Sequence, residues 1–265
     1  TDFEAFDSNG IMMNEIMFRR NMSEEAPVFE TTTGPVRVIT AASLFDGHDA
    51  AINVMRRLIQ SSGAEVIHLG HDRSAKDVVD CAVQEDAHAV ALTSYQGGHM
   101  EYFTYIRQLL DEAGCDHVRI FGGGGGTITP PEIRDLHKSG ISRIYSPDDG
   151  RKMGLMGMIH DLMGTASEVD LISDDRLASL DGPIAADDMA KVGLLLTMSE
   201  SASDEDFKTM VEKVRSSDKD VPVIGFTGTG GAGKSSLLDE LMLRILRDNP
   251  DKKVCLLCVD PTRKR

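Results

Sequence analysis

Residues 36–49 read Val36-Arg37-Val38-Ile39-Thr40-Ala41-Ala42-Ser43-Leu44-Phe45-Asp46-Gly47-His48-Asp49. A near-continuous apolar run ends in a short polar loop, as for a strand buried on both faces of a parallel sheet. Working outward, strand-like runs recur at 36–42, 64–69, 89–94, 117–121 and 143–146. Helical segments near 50–61, 75–86, 100–112, 131–139 and 150–162 separate and follow them. Five β-α units with short connections and right-handed crossovers predict an α/β domain over 34–164, with a flavodoxin-like doubly wound parallel sheet. Ligands of such sheets bind beyond the carboxyl ends of the strands, so the loops that follow the strands carry the function.

The loop after the first strand holds Asp46, Gly47, His48 and Asp49. Its neutral imidazole suits a transition metal, and Asp46 is placed to accept the other ring N–H and fix the tautomer. Ser94, Tyr95, Gln96, Gly97 and Gly98 follow the third strand, and Gly122, Gly123 and Gly124 open a run of five glycines after the fourth. Consecutive glycines predict close approach of a large planar or extended ligand. The remaining histidines share no ligand spacing, and structural roles are expected for His68 and His71. Two other ligands of this fold are disfavoured. Ser43 to Gly47 is a poor flavin-phosphate loop, and the fifth strand's end, Tyr145-Ser146-Pro147, lacks the lysine of a phosphoacceptor domain.

A second module opens at 221 with a strand over 221–227, then Gly228-Thr229-Gly230-Gly231-Ala232-Gly233-Lys234-Ser235, a complete P-loop pattern. A helix follows over 234–247, with Leu237, Leu238, Leu241, Met242 and Ile245 on its buried side, then a strand over 253–259. Gly230, Gly231, Ala232, Gly233, Lys234, Ser235 and Ser236 are the expected nucleotide contacts. Lys234 bridges the β- and γ-phosphates and the Ser235 hydroxyl ligates magnesium. Asp260 either approaches the magnesium or is an ordinary strand-end residue before Pro261. Spacing does not select guanine over adenine. One β-α-β unit cannot close a nucleotide-hydrolysing domain, which suggests a truncated chain.

The 265 residues carry a formal charge of -15, which argues against nucleic acid and anionic membranes. There is no spanning apolar run and no signal peptide, and four cysteines suggest reduced thiols and a cytoplasmic address. Cys255 and Cys258 are expected as buried strand residues rather than zinc ligands. Residues 1–33 form an N-terminal extension, with 11–20 either a docking helix or a loose tail. Residues 165–220 read as an acidic, partly helical linker packed between the modules.

Asp46, His48, Ser94 and Gly122-Gly123 resemble the cobalamin-binding pattern Asp-x-His-x-x-Gly, Ser-x-Leu and Gly-Gly of base-off, His-on enzymes. Ala51 and Gln96 depart from it, at positions that pattern assigns to the channel for the cofactor's dimethylbenzimidazole tail. The runs from Ser43 to Ala51 and from Thr93 to His99, followed by a P-loop module ending Val259-Asp260-Pro261, are similar to the fused isobutyryl-CoA mutases. That resemblance implies adenosylcobalamin with His48 on cobalt, and GTP with Mg2+ on a chaperone GTPase that gates cofactor loading. It further implies interconversion of isobutyryl-CoA and n-butyryl-CoA in a homodimer, with the acyl-CoA bound by a barrel domain this chain lacks. No catalytic residue is assigned within this chain, and alone it is expected to be inactive. A cobalamin carrier or sensor controlled by the NTPase, and a methylmalonyl-CoA mutase relative, are the alternatives.

Overall fold

Five parallel strands form the centre of the first of two units in a computed structural model of the protein, which describes residues 29–185, 187–215 and 221–258. The units divide between Ser216 and Ser217. A small antiparallel pair, β1 (Glu30–Thr31) and β2 (Gly34–Pro35), precedes the sheet. The sheet strands are β3 (Arg37–Ser43), β4 (Glu65–Arg73), β5 (Ala89–Thr93), β6 (Arg119–Gly123) and β7 (Arg143–Tyr145). Their order is β4-β3-β5-β6-β7 and every pairing is parallel. The chain direction across the sheet therefore reverses between β3 and β5, the switch point where doubly wound folds open a crevice.

All seven residues of β3 are buried, which explains its lack of a polar alternation. Neighbouring side chains feed opposite cores. Ile39, Val90 and Leu92 join Phe103, Ile106 and Leu110 beneath α2 (Ala75–Gln84), α3 (His99–Glu112) and α4 (Pro130–Lys138). Val38, Ala91 and Phe121 join Leu58, Ile59, Ile159 and Met163 beneath α1 (Asp49–Ser61) and α5 (Pro147–Ser167). Helix α5 starts earlier than the periodicity predicts because Ser146 and Asp149 form a capping box around Pro147. It kinks at Gly154, whose φ is 67°.

The acidic region is more ordered than a solvated linker. It forms α6 (Asp174–Ala178), α7 (Met189–Ser201) and α8 (Asp204–Val214) within the first unit. Helix α7 approaches α2 so closely that a Cβ on Gly193 would stand 2.9 Å from the Val83 carbonyl. Buried Asp86 accepts from Arg176 Nη2 at 2.6 Å and from Thr197 Oγ1 at 2.7 Å. Arg37 reaches Glu65 and Glu200. A hydrogen-bonded ionic network thus fastens this region to the amino-terminal edge of the sheet.

In the second unit, α9 (Lys234–Asp248) is the one regular element among the described residues. Residues 221–227 and 252–258 flank it without ladder hydrogen bonds, unlike the expected strands. An extended segment becomes a strand only against a paired neighbour, and none is described beside these two. Cys255 and Cys258 are accordingly exposed rather than buried. Leu238, Leu241, Met242 and Ile245 are half-buried, whereas Leu237 is 56% exposed. The 11–20 segment and most of the N-terminal extension lie outside the described residues.

Candidate functional site

The chain turns at the end of β3, where the Asp46 N–H donates to the Ser43 carbonyl at 3.0 Å. This turn buries the Asp46 carboxylate completely beneath the loop. Its Oδ1 accepts the His48 N–H at 2.9 Å and His48 Nδ1 at 2.7 Å, while Oδ2 accepts the Tyr95 N–H at 2.7 Å. Burial works to raise the Asp46 pKa, but the Tyr95 and His48 hydrogen bonds and the His48 ring outweigh it and hold the carboxyl below its usual range. An ionised carboxylate only accepts, so Nδ1 carries the proton and the lone pair of a neutral ring is left on Nε2. The His48 side chain is 67% exposed, and its ring lies 5.3 Å from that of Tyr95. A lone pair fixed in tautomer and turned outward is what a metal carried by a ligand requires of a protein.

Two further loops meet this one. Ser43 Oγ donates to Ser94 Oγ at 2.9 Å, and the Ser94 N–H donates to the Gly123 carbonyl at 2.8 Å. Between α1, α5 and the sheet's carboxyl end lies an apolar cavity of about 480 Å³. Ala51, Ile52 and Met55 line it from α1, Tyr95 and Gly122 to Gly125 from the β5 loop and the end of β6, and Tyr145 and Met158 from β7 and α5. Of these, Ile52, Met55, Tyr145 and Met158 escaped the sequence reading, since on their elements they look like ordinary core.

At two positions the glycine run has a packing cause that the sequence did not show. A Cβ on Gly122 would stand 2.4 Å from Phe103 Cζ, and one on Gly124 would stand 1.9 Å from the Ser94 carbonyl oxygen. Internal packing alone demands glycine at both positions, which also line the cavity. Gly97, Gly98 and Gly126 have open space around them. The two departures from the cobalamin pattern also separate. Ala51 lines the cavity, whereas Gln96 does not, and its Nε2 donates to the Phe45 carbonyl at 2.8 Å. Gly47 is exposed, and Asp49 is the first residue of α1. His68 pairs with Thr40 Oγ1 at 2.9 Å as a sheet residue, its pKa lowered by burial and then by Arg56.

In the second unit Gly231 and Gly233 have φ of 76° and 80°, left-handed values that need no Cβ. No side chain caps α9 at Gly233, so the helix begins with N–H groups suited to an anion. Lys234 folds its ammonium over the loop, donating to the Gly228 and Thr229 carbonyls at 2.7 and 2.8 Å. Ser235 and Ser236 stand exposed in the first turn. Asp260 lies outside the described residues.

Comparison with known proteins finds two families, the second beginning inside α7 rather than where the units divide. Residues 36–148 match the B12 binding domain family, and residues 192–265 match the methylmalonyl Co-A mutase-associated GTPase MeaB family. The chain is 49% identical over 239 residues to a fused isobutyryl-CoA mutase of Geobacillus kaustophilus, covering 87% of this chain and 22% of the relative. A Nocardia farcinica protein of the same name is 51% identical over 235 residues, covering 87% and 21%. A 2-hydroxyisobutanoyl-CoA mutase small subunit of Aquincola tertiaricarbonis is 31% identical over 115 residues, covering 43% of this chain and 82% of that subunit. The chain thus spans about a fifth of the length of the fused relatives it matches. Among the described residues no helix is long and apolar enough to cross a membrane.

Proposed function

The chain belongs to the fused isobutyryl-CoA mutase family, with a B12-binding domain followed by a MeaB-type GTPase segment, and we propose that it holds adenosylcobalamin with His48 as the lower ligand of cobalt. The observation that carries this reading is the Asp46–His48 pair, with Nδ1 locked at 2.7 Å and the ring exposed beside an apolar cavity. The donor set fits the cofactor. Among the described residues no three His, Cys, Asp or Glu side chains stand together as a metal cage, and a corrin needs only one protein nitrogen because its ring supplies the others. The cavity wall of Ala51, Ile52, Met55 and Gly123 suits a flat aromatic tail, and excludes water by its apolar lining.

When bound, adenosylcobalamin supplies a cobalt–carbon bond whose homolysis starts radical chemistry. The residues of this chain act around it. His48 positions the corrin, Asp46 keeps the imidazole in its donating tautomer, and Tyr95 shields one side of the ring. Lys234 and the free N–H groups at the start of α9 hold the phosphates of GTP, with Ser235 on Mg2+. In the whole protein the activity is isomerisation of isobutyryl-CoA and n-butyryl-CoA, with GTP turnover governing cofactor loading. The acyl-CoA is bound outside this chain.

The test is isomerisation of isobutyryl-CoA by the intact protein carrying this chain, followed by chromatography of the acyl products. Activity that needs adenosylcobalamin and falls at least about a hundredfold in His48→Ala is expected for loss of a metal ligand. Cobalamin binding without any isomerisation would favour a carrier instead.

A further inference from the structure

Phe45, the residue before Asp46, has φ of 63°, in the left-handed region that residues with a Cβ avoid. Its ring is 79% exposed, so core packing does not hold it there. Two side chains grip its backbone instead. The Phe45 N–H donates to Asp72 Oδ1 at 2.7 Å, and its carbonyl accepts Gln96 Nε2 at 2.8 Å. The two grips come from opposite neighbours of β3 in the sheet. Asp72 lies near the end of β4, where the register with β3 shifts twice, and Gln96 lies in the loop after β5. Asp72 is itself left-handed, with φ of 56°. Neither residue lines the apolar cavity.

We propose that Asp72 and Gln96 are positioning residues that hold the Phe45 peptide in its left-handed turn and thereby aim His48 at the metal. The proposal rests on His48 being the cobalt ligand. Released from either grip, Phe45 relaxes towards an ordinary conformation, the start of the loop rotates, and the buried Asp46 carries the imidazole with it. This also explains a glutamine where the cobalamin pattern has leucine. Its amide reaches a carbonyl that a leucine cannot bind.

The experiment titrates the whole 265-residue chain with cob(II)alamin. Affinity is read from visible absorbance, and the histidine nitrogen on cobalt from the electron paramagnetic resonance hyperfine splitting that changes when the chain carries 15N-histidine, a change the cofactor's own base cannot give. Asp72→Ala and Gln96→Ala are each expected to weaken binding about tenfold and to diminish the imidazole nitrogen splitting. Asp72→Asn, which keeps an acceptor oxygen, should stay within about threefold of wild type. The decisive arm adds Phe45→Gly to Asp72→Ala. Glycine takes the left-handed turn without help, so affinity and splitting should recover to within about twofold. Unchanged affinity and splitting in both alanine variants, with His48→Ala losing the splitting, overturns this proposal alone. Splitting that survives His48→Ala overturns it together with the cobalt-ligand reading.

Discussion

Asp46 Oδ1 lies 2.7 Å from His48 Nδ1, and the two side chains are opposites in exposure, 0% for the aspartate and 67% for the histidine. The buried member fixes the tautomer and direction of the member that faces outward. Its three accepted hydrogen bonds come from both the β3 loop and the β5 loop, so the carboxylate also ties those loops to each other.

Asp46→Ala removes that anchor at one stroke. Cobalamin affinity should fall about ten- to a hundredfold, the range for losing the partner of a ligating histidine. Asp46→Asn keeps an acceptor but not the charge and should fall between alanine and wild type. Titration of the visible spectrum measures both, and equal affinity in all three proteins would refute the anchoring role.

The glycine run gives a sharper contrast than its composition promises. Gly124→Ala places a Cβ 1.9 Å from the Ser94 oxygen, a backbone contact that only loop movement can relieve. A loss of about 1–3 kcal/mol in stability is expected, with weaker cobalamin binding as Ser94 and Tyr95 shift. Gly126→Ala meets nothing within 4 Å and should lie within about 0.5 kcal/mol of wild type. Chemical denaturation of the two variants side by side decides the matter.

Stability should fall on mild acidification. Burial, then Arg37, pushes His88 down to about 4, and burial, then Arg176, does the same to His117. Unfolded histidine titrates near 6.5, so between those values the unfolded chain binds protons that the folded one refuses. The stabilisation is fully present above about pH 6.5 and is lost as pH falls towards 4, by up to about 3 kcal/mol for each group. Thermal melting from pH 7.5 to 4.5 should show that descent, and His117→Leu should flatten it. A flat wild-type profile across the window would contradict the assignment.

The doubly wound sheet was legible because the central strands β3 and β5 are near-continuous apolar runs closed by polar loops, as in 36–49. The Asp46–His48 loop stood out for the same reason, since it falls where such folds place ligands. What local pattern cannot carry is contact across the sheet. Nothing in the spacing of Gly122 and Gly124 tells a glycine facing Phe103 or Ser94 from one facing a ligand. Likewise Asp72 lies 27 residues from Phe45, and only the β3–β4 pairing brings them together. The acidic stretch showed its helices in part, but not how it is fastened, because Arg176, Thr197 and Glu200 are scattered among solvated residues. In the P-loop unit the motif was plain in sequence, whereas its flanking segments depend on partners that composition does not supply.

The central claim is that His48 binds cobalt from below, and the visible spectrum of adenosylcobalamin bound to the whole chain tests it most directly. The account predicts a base-off, His-on spectrum in the wild type that is lost in His48→Ala, with the variant still folded by circular dichroism. A folded wild-type chain that leaves the cofactor spectrum unchanged, or a His48→Ala variant that retains the His-on spectrum, would contradict it.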